Sequence, residues 1–192
     1  MTELTKSDAL IIVDVQLDFL PGGALAVEHG DEVIPVLNGY LEKFERHRLP
    51  VFATRDWHPA NHCSFQAQGG PWPPHCVAGS PGAAFASALV FPRGTEIVSK
   101  GVLQQAPGYS GFEITGLAWR LRRLACKRLY IGGLATDYCV RATALDALRE
   151  GLEVIVLEDG VRPVDVQPGD GTRALDELVS QGAKLERRAR DP

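Results

Sequence analysis

The sequence predicts an α/β fold in which a mainly parallel sheet carries helices on both faces. Three observations lead there. Six short strand-like runs alternate with segments of helical periodicity, a spacing that calls for right-handed crossovers. The first run, Ala9-Leu10-Ile11-Ile12-Val13, is apolar at every position, as strands covered on both faces are. Chemistry-bearing side chains, Asp14, Lys100 and Cys139, fall at or just past the ends of such runs, where ligands bind in open α/β sheets.

Taken in order, the first strand ends at Asp14, which puts a carboxylate at the carboxyl end of a central strand. A helix follows from about Val33 to Arg46, its apolar stripe made by Val33, Val36, Leu37, Tyr40, Leu41 and Phe44, and Leu49-Pro50 closes it. Val51 to Thr54 reads as a second strand ending at Arg55-Asp56. From Trp57 to about Gly82 periodicity gives way to prolines and glycines, and loops this long inside a compact domain are usually functional or disordered. Glu96 to Lys100 is a third strand ending in a cation, and a Gly/Pro-rich loop from Ala106 to Phe112 leads to a helix holding Leu117, Leu121 and Leu124. Arg128 to Ile131 is the fourth strand, stopped by Gly132-Gly133. A helix through Val140, Ala144, Leu145 and Leu148 comes next. The chain ends with a strand at Glu153 to Leu157, a loop from Asp159 to Asp170, a helix from Thr172 to Gln181 and a short strand at Lys184 to Glu186.

Composition narrows the function classes. A chain of 192 residues supports one sizeable core, so a single domain over 1–192 is expected. With 45% hydrophobic and 23% charged residues and a net charge of −4, nothing recruits nucleic acid or an anionic membrane. The basic segment Glu186-Arg187-Arg188-Ala189-Arg190 is expected to be solvated. No run approaches the roughly 20 apolar residues of a membrane span and the start is unlike a secretory signal, which makes a cytoplasmic enzyme the simplest placement. Cys63, Cys76, Cys126 and Cys139 are too scattered for a disulfide framework and read as thiols. Assembly into a homo-oligomer is left open.

Gly132 to Arg141 is the stretch around which the rest is organised. It places Cys139 in the first turn of a helix after a strand, where free N–H groups and the helix dipole favour thiolate over thiol. The dipole is not enough: lowering a thiol pKa of about 8.5 to about 7 takes roughly 2 kcal/mol, and a helix terminus usually contributes about 0.3 to 1 kcal/mol. A cation elsewhere must help. Lys100 supplies one, and Asp14 supplies a proton acceptor, provided that Lys100 lies between or beside the two.

A second constellation is Asp56, His58, His62 and His75. In extended chain Asp56 and His58 point to one side, and His75 can return from the loop to complete a mixed carboxylate–imidazole site suited to zinc, iron or manganese. The competing arrangement is a structural zinc site of Cys63, Cys76, His62 and His75, although the adjacent pairs His62-Cys63 and His75-Cys76 lack the usual two-residue gap. A third set, Phe19, Trp72 and Tyr109, offers walls for a flat ring.

Six blocks together resemble the nicotinamidases within the isochorismatase-like cysteine hydrolases: Val13 to Phe19, Arg55 to His62, Trp72 to Val77, Ser99 to Gly101, Tyr109 to Glu113 and Gly133 to Val140. The resemblance implies a three-layer α/β/α fold around a six-stranded, Rossmann-like sheet. It implies Cys139 as nucleophile, Asp14 as proton acceptor and donor, Lys100 bridging them, and backbone N–H groups of Ala135 and Cys139 as an oxyanion hole beside a cis Leu134–Ala135 peptide. By the same similarity Asp56, His58 and His75 hold one divalent metal per chain, zinc before iron or manganese, that binds the pyridine nitrogen, while Phe19, Trp72 and Tyr109 border the ring. His62 would be either a fourth ligand or a group behind the ligands, and Gly101 to Pro107, at the expected edge of the substrate pocket, departs from the family pattern. The implied reaction is conversion of nicotinamide to nicotinate and ammonia in NAD salvage. The alternatives are a related amidase for carbamoyl or ureido substrates, in which the metal ligands are often lacking, and a non-catalytic zinc module.

Overall fold

In the computed structural model, which describes residues 2–188, six strands form one sheet. They are β1 (Asp8–Val13), β2 (Val51–Asp56), β3 (Glu96–Lys100), β4 (Arg128–Leu134), β5 (Glu153–Arg162) and β6 (Lys184–Glu186), in the order β3-β2-β1-β4-β5-β6. Every neighbouring pair is parallel. Four helices flank the sheet: α1 (Val33–Arg46), α2 (Leu117–Arg123), α3 (Arg141–Arg149) and α4 (Asp170–Ser180). None of the described helices is long and apolar enough to cross a membrane.

Central β1 is buried at all six positions, and the two-residue period of a strand divides it between two cores. Leu10 and Ile12 join Leu37, Leu41 and Phe44 of α1 on one face. Ala9, Ile11 and Val13 join Leu117 of α2, Ala144 of α3 and Leu178 of α4 on the other. Each large aliphatic side chain taken from water this way contributes about 1.5 to 3 kcal/mol. The result is the expected three-layer α/β/α architecture.

The chain runs outward through β1, β2 and β3, then returns to place β4 on the other side of β1. The crevice at the carboxyl ends of β1 and β4 is therefore the topological switch point, the position where such sheets bind ligands.

The structure corrects several boundaries. β4 continues three residues beyond Ile131 through Gly132 and Gly133 to Leu134. Gly133 does not stop the strand; it lets β1 approach, since a Cβ there would collide with the Val13 carbonyl oxygen. β5 runs to Arg162, not Leu157. Its register jumps between Ile131↔Val156 and Gly133↔Val161, so Glu158 and Asp159 break the apolar pattern without ending the strand. α2 stops at Arg123, and α4 starts at Asp170, two residues before Thr172. Of the basic segment expected to be solvated, Arg187 pairs with Glu158 and the Arg188 N–H donates to Asp159, while Ala189 and Arg190 lie outside the described residues.

Candidate active site

Lys100 closes β3, Asp56 closes β2, Asp14 follows β1 and Cys139 follows β4, so four consecutive strand ends each deliver one functional side chain. Asp56 and Lys100 are register partners. Asp14 takes a left-handed backbone turn, φ 47°, that swings the chain out of the ladder. Its Oδ1 accepts from Thr54 Oγ1 at 2.7 Å, leaving Oδ2 free to face Lys100. Cys139 sits in a wide π-helical turn, Thr136–Val140, that precedes α3 and is entered through a cis Leu134–Ala135 peptide.

The Lys100 ammonium is the hub. Its Nζ lies 2.8 Å from Asp14 Oδ2, 2.6 Å from Asp56 Oδ1, 3.0 Å from the Gly108 carbonyl oxygen and 3.3 Å from Cys139 Sγ. All four side chains are buried. Three ammonium protons serve four acceptors, so the hydrogen bonds in this cluster can be redistributed without moving a backbone atom. The juxtaposition expected of Asp14, Lys100 and Cys139 is present.

Its protonation differs from the expectation. Burial, with Asp14 and Asp56 adding to it and Lys100 opposing it, holds the Cys139 thiol well above its ordinary range. A resting thiolate is therefore disfavoured, because desolvation outweighs the small help of a helix end. Burial likewise raises the Asp14 carboxyl, against Lys100. For Asp56 burial is overcome by the Lys100 ammonium, and its carboxyl stays well below the usual range. Lys100 is pushed up by Asp14 and Asp56 despite its own desolvation, so it remains an ammonium.

Beside this hub, Asp56, His58 and His75 bring ligand atoms within 4.8 Å of one another. An isolated parallel bridge between His58 and Val77 draws the His75 segment alongside: the His58 N–H donates to the Cys76 carbonyl at 3.0 Å, and the Ala78 N–H to the His58 carbonyl at 2.8 Å. Both imidazoles are oriented from behind. His58 Nδ1 donates to the Gly101 carbonyl at 2.9 Å and His75 Nδ1 to the Pro73 carbonyl at 2.8 Å, which leaves each Nε2 as a lone pair. The His58 Nε2 lone pair then faces Asp56 Oδ2 at 3.5 Å. Two acceptors aimed at each other in a buried site are the arrangement a cation between them would satisfy, so the donor set fits a divalent metal. Burial also pushes His75 down, towards the neutral form that a ligand needs. Gly101, at φ +61°, is the residue His58 can lie on, since a Cβ there would overlap the ring.

His62 is outside this set. It stacks on His58 with ring centroids 4.0 Å apart, and both its nitrogens are committed: Nε2 donates to Ala106 O at 2.9 Å and Nδ1 accepts from Ser64 Oγ at 2.7 Å. Its place is against the His58 ring, outside the cluster. The alternative site of Cys63, Cys76, His62 and His75 is not assembled as a metal-ligating cluster among the described residues. The second acidic group, Asp14, Asp56 and Cys139, already surrounds the Lys100 ammonium and has its cation.

Phe19, Leu25, Asp56, Trp72, His75, Tyr109, Ala135, Tyr138, Cys139 and Val164 line one narrow pocket over the hub. Asp56, His75 and Cys139 share it with apolar and aromatic walls. Trp72 Nε1 donates to the Tyr109 hydroxyl at 2.9 Å and meets Tyr138 edge-on at 5.0 Å between centroids, so the three expected ring neighbours are joined by a fourth. Gly101 to Pro107 does not border this pocket. That segment braces the histidines through the Gly101 and Ala106 carbonyls. Sequence patterning does not single out Thr54, Tyr138 or Gln16. Tyr138 stands next to Cys139 and Gln16 two residues past Asp14, the only signals in the sequence that point to them.

A family model described as the isochorismatase domain matches residues 8–189. A nicotinamidase/pyrazinamidase from Mycobacterium tuberculosis is 43% identical over 187 residues, spanning 92% of this chain and 97% of its own. A crystal structure of pyrazinamidase of Pyrococcus horikoshii in complex with zinc superposes with a TM-score of 0.91 at 50% identity, covering 95% of this chain and 99% of the other. PnC1 from L. infantum in complex with nicotinate gives a TM-score of 0.89 at 39% identity, covering 97% and 96%.

Proposed function

Because this chain belongs to the isochorismatase family, we propose that it is a metal-dependent cysteine amidohydrolase that converts nicotinamide to nicotinate and ammonia. The observation that carries the reading is one ammonium, Lys100 Nζ, 2.8 Å from Asp14 Oδ2 and 3.3 Å from Cys139 Sγ, beside three convergent metal-ligand side chains. Pyrazinamide, a carboxamide on a ring of the same size, is expected to be a substrate as well. The reading includes one domain over 1–192 and a cytoplasmic location.

As substrate enters, Cys139 gives its proton to Asp14 while sulfur bonds to the carboxamide carbon. The raised affinities of both groups keep that proton within the cluster and suit Asp14 to both directions of transfer. Lys100 stays charged throughout and balances the negative charge on sulfur or carboxylate. Backbone N–H groups of Ala135 and Cys139 hold the developing oxyanion, donors of a kind worth about 2.7 to 4 kcal/mol each. Asp14 then protonates the departing nitrogen, ammonia leaves, and a thioester remains. Water, deprotonated by Asp14, attacks it; the C–S bond breaks, nicotinate forms, and Cys139 recovers its proton. Phe19, Trp72 and Tyr109 orient the ring. Asp56, His58 and His75 would hold a divalent metal, zinc first and iron or manganese next, which would supply Lewis acidity to the heteroaromatic ring.

Ammonia release tests the reading with nicotinamide, pyrazinamide and a panel of carbamoyl and ureido amides, with zinc present. The two ring amides should be turned over at least about tenfold better in kcat/KM than the rest, a difference of about 1.4 kcal/mol. Preference for a ureido substrate would move the chain to the related amidases. No turnover of any amide by zinc-loaded protein would leave the non-catalytic module.

A further inference from the structure

The last backbone bond that β1 makes to β2 is Asp14 N–H to the Thr54 carbonyl, at 3.2 Å. Beyond it the left-handed turn at Asp14 carries the chain away, so the ladder cannot continue to Asp56. Yet Asp56 is the residue whose placement matters most, with one oxygen on Lys100 and the other facing His58. The gap is filled by a side chain. Gln16, fully buried, accepts from the Asp56 N–H through Oε1 at 2.8 Å and donates through Nε2 to the Asp56 carbonyl at 2.8 Å. Its second Nε2 proton goes to the Ala83 carbonyl at 2.9 Å. A primary amide offers the same acceptor and donor as a peptide unit, so Gln16 acts as one more rung of the sheet after the backbone has left it.

We infer that Gln16 is a positioning residue: its amide holds the Asp56 main chain at a fixed distance from the turn that carries Asp14, and so sets the geometry of both the metal-ligand cluster and the Lys100 hub. The kinetic part of this rests on the functional reading above; the metal part does not. Its effect on the chemistry passes through Asp56, and Gln16 does not line the substrate pocket. Loss of the amide should therefore spare KM and fall on kcat and on metal affinity together.

The test uses Gln16→Met, which fills the same space with no hydrogen bond, and Gln16→Asn, which keeps the amide but withdraws it by one carbon. Zinc alone is titrated into each apo-protein by chelator competition, and kcat and KM for nicotinamide are measured per folded molecule at saturating zinc. Both variants should bind zinc about 10- to 100-fold more weakly and lose about 10- to 100-fold in kcat, the range found for groups that orient metal ligands, with KM within about threefold of the parent. Zinc affinity unchanged in both variants overturns the proposal. So does failure of both to fold, which would make Gln16 a determinant of stability. The zinc titration needs no turnover, so a parent that fails to hydrolyse nicotinamide overturns the functional reading and not this one.

Discussion

Strand β1 meets a buried aspartate at each end, and the two are treated in opposite ways. At its amino end Asp8 is saturated: Arg128 grips both oxygens, Nε to Oδ1 at 2.9 Å and Nη2 to Oδ2 at 2.6 Å, while Thr5 donates its N–H to Oδ2 at 2.7 Å and its hydroxyl to Oδ1 at 3.0 Å. At the carboxyl end Asp14 shares a single ammonium with Asp56, Gly108 and Cys139. A planar guanidinium fixes a carboxylate in one geometry, whereas an ammonium is a point charge that several acceptors can divide. The first arrangement holds a fold together; the second stores exchangeable protons at a pocket.

Neutralising each aspartate breaks or confirms that contrast. Asp14→Asn should lower kcat by about 10²- to 10⁴-fold, as loss of a general base does, with the melting temperature scarcely lowered, because burial already disfavours its charge. Asp8→Asn should leave kcat per folded molecule unchanged and cost about 1.5 to 3 kcal/mol in urea unfolding, the worth of a hydrogen bond to a charged group. If Asp8→Asn slowed turnover as much as Asp14→Asn, the division of labour along β1 would be mistaken.

Stripping the metal sharpens the picture next. Chelation followed by dialysis should reduce nicotinamide turnover at least about tenfold, by loss of the ring's anchor. It should also lower the melting temperature, since a metal present at about 100 times its Kd adds about 2.7 kcal/mol to the folded state. Zinc should restore both. Full activity in protein shown by elemental analysis to be metal-free would detach the Asp56 cluster from the reaction.

The pH profile gives a smaller effect. Asp14 accepts a proton only when ionised, and burial raises its carboxyl from the ordinary 3.8. Activity should thus be lost as pH falls through that raised value, and the acidic limb of kcat/KM should lie above pH 3.8. A limb at or below it would mean that Lys100 outweighs burial at Asp14. Smallest is Thr54→Val. Removing the hydroxyl that fixes Asp14 Oδ1 costs about one hydrogen bond, near 1 kcal/mol, so kcat should fall about fivefold without change in zinc affinity.

What was legible in the sequence follows from what strands do. A strand that ends on an aspartate, a lysine or a turn holding a cysteine announces its chemistry, because the carboxyl edge of a parallel sheet gathers such ends whatever their separation along the chain. The grouping of Asp56, His58 and His75 as a candidate metal cluster was legible by residue type, with His62 counted beside them. Gln16 and Thr54 were not, since each acts through side-chain hydrogen bonds across to a neighbouring strand or turn that no periodicity encodes. The protonation of Cys139 differs from the expectation for a related reason: the dipole of its own turn is local, but the burial that dominates comes from every element packed over it. His62 takes its place from Ala106, 44 residues away, whose carbonyl occupies its Nε2.

The central claim is that sulfur, carboxylate and ammonium act as one unit, and Cys139→Ala tests it most directly. With zinc bound, the variant should release ammonia from nicotinamide at least about 10³-fold more slowly than the parent, as loss of a nucleophile does, while zinc content stays at one ion per chain. Ammonia release at the parent rate by the alanine variant would contradict the account.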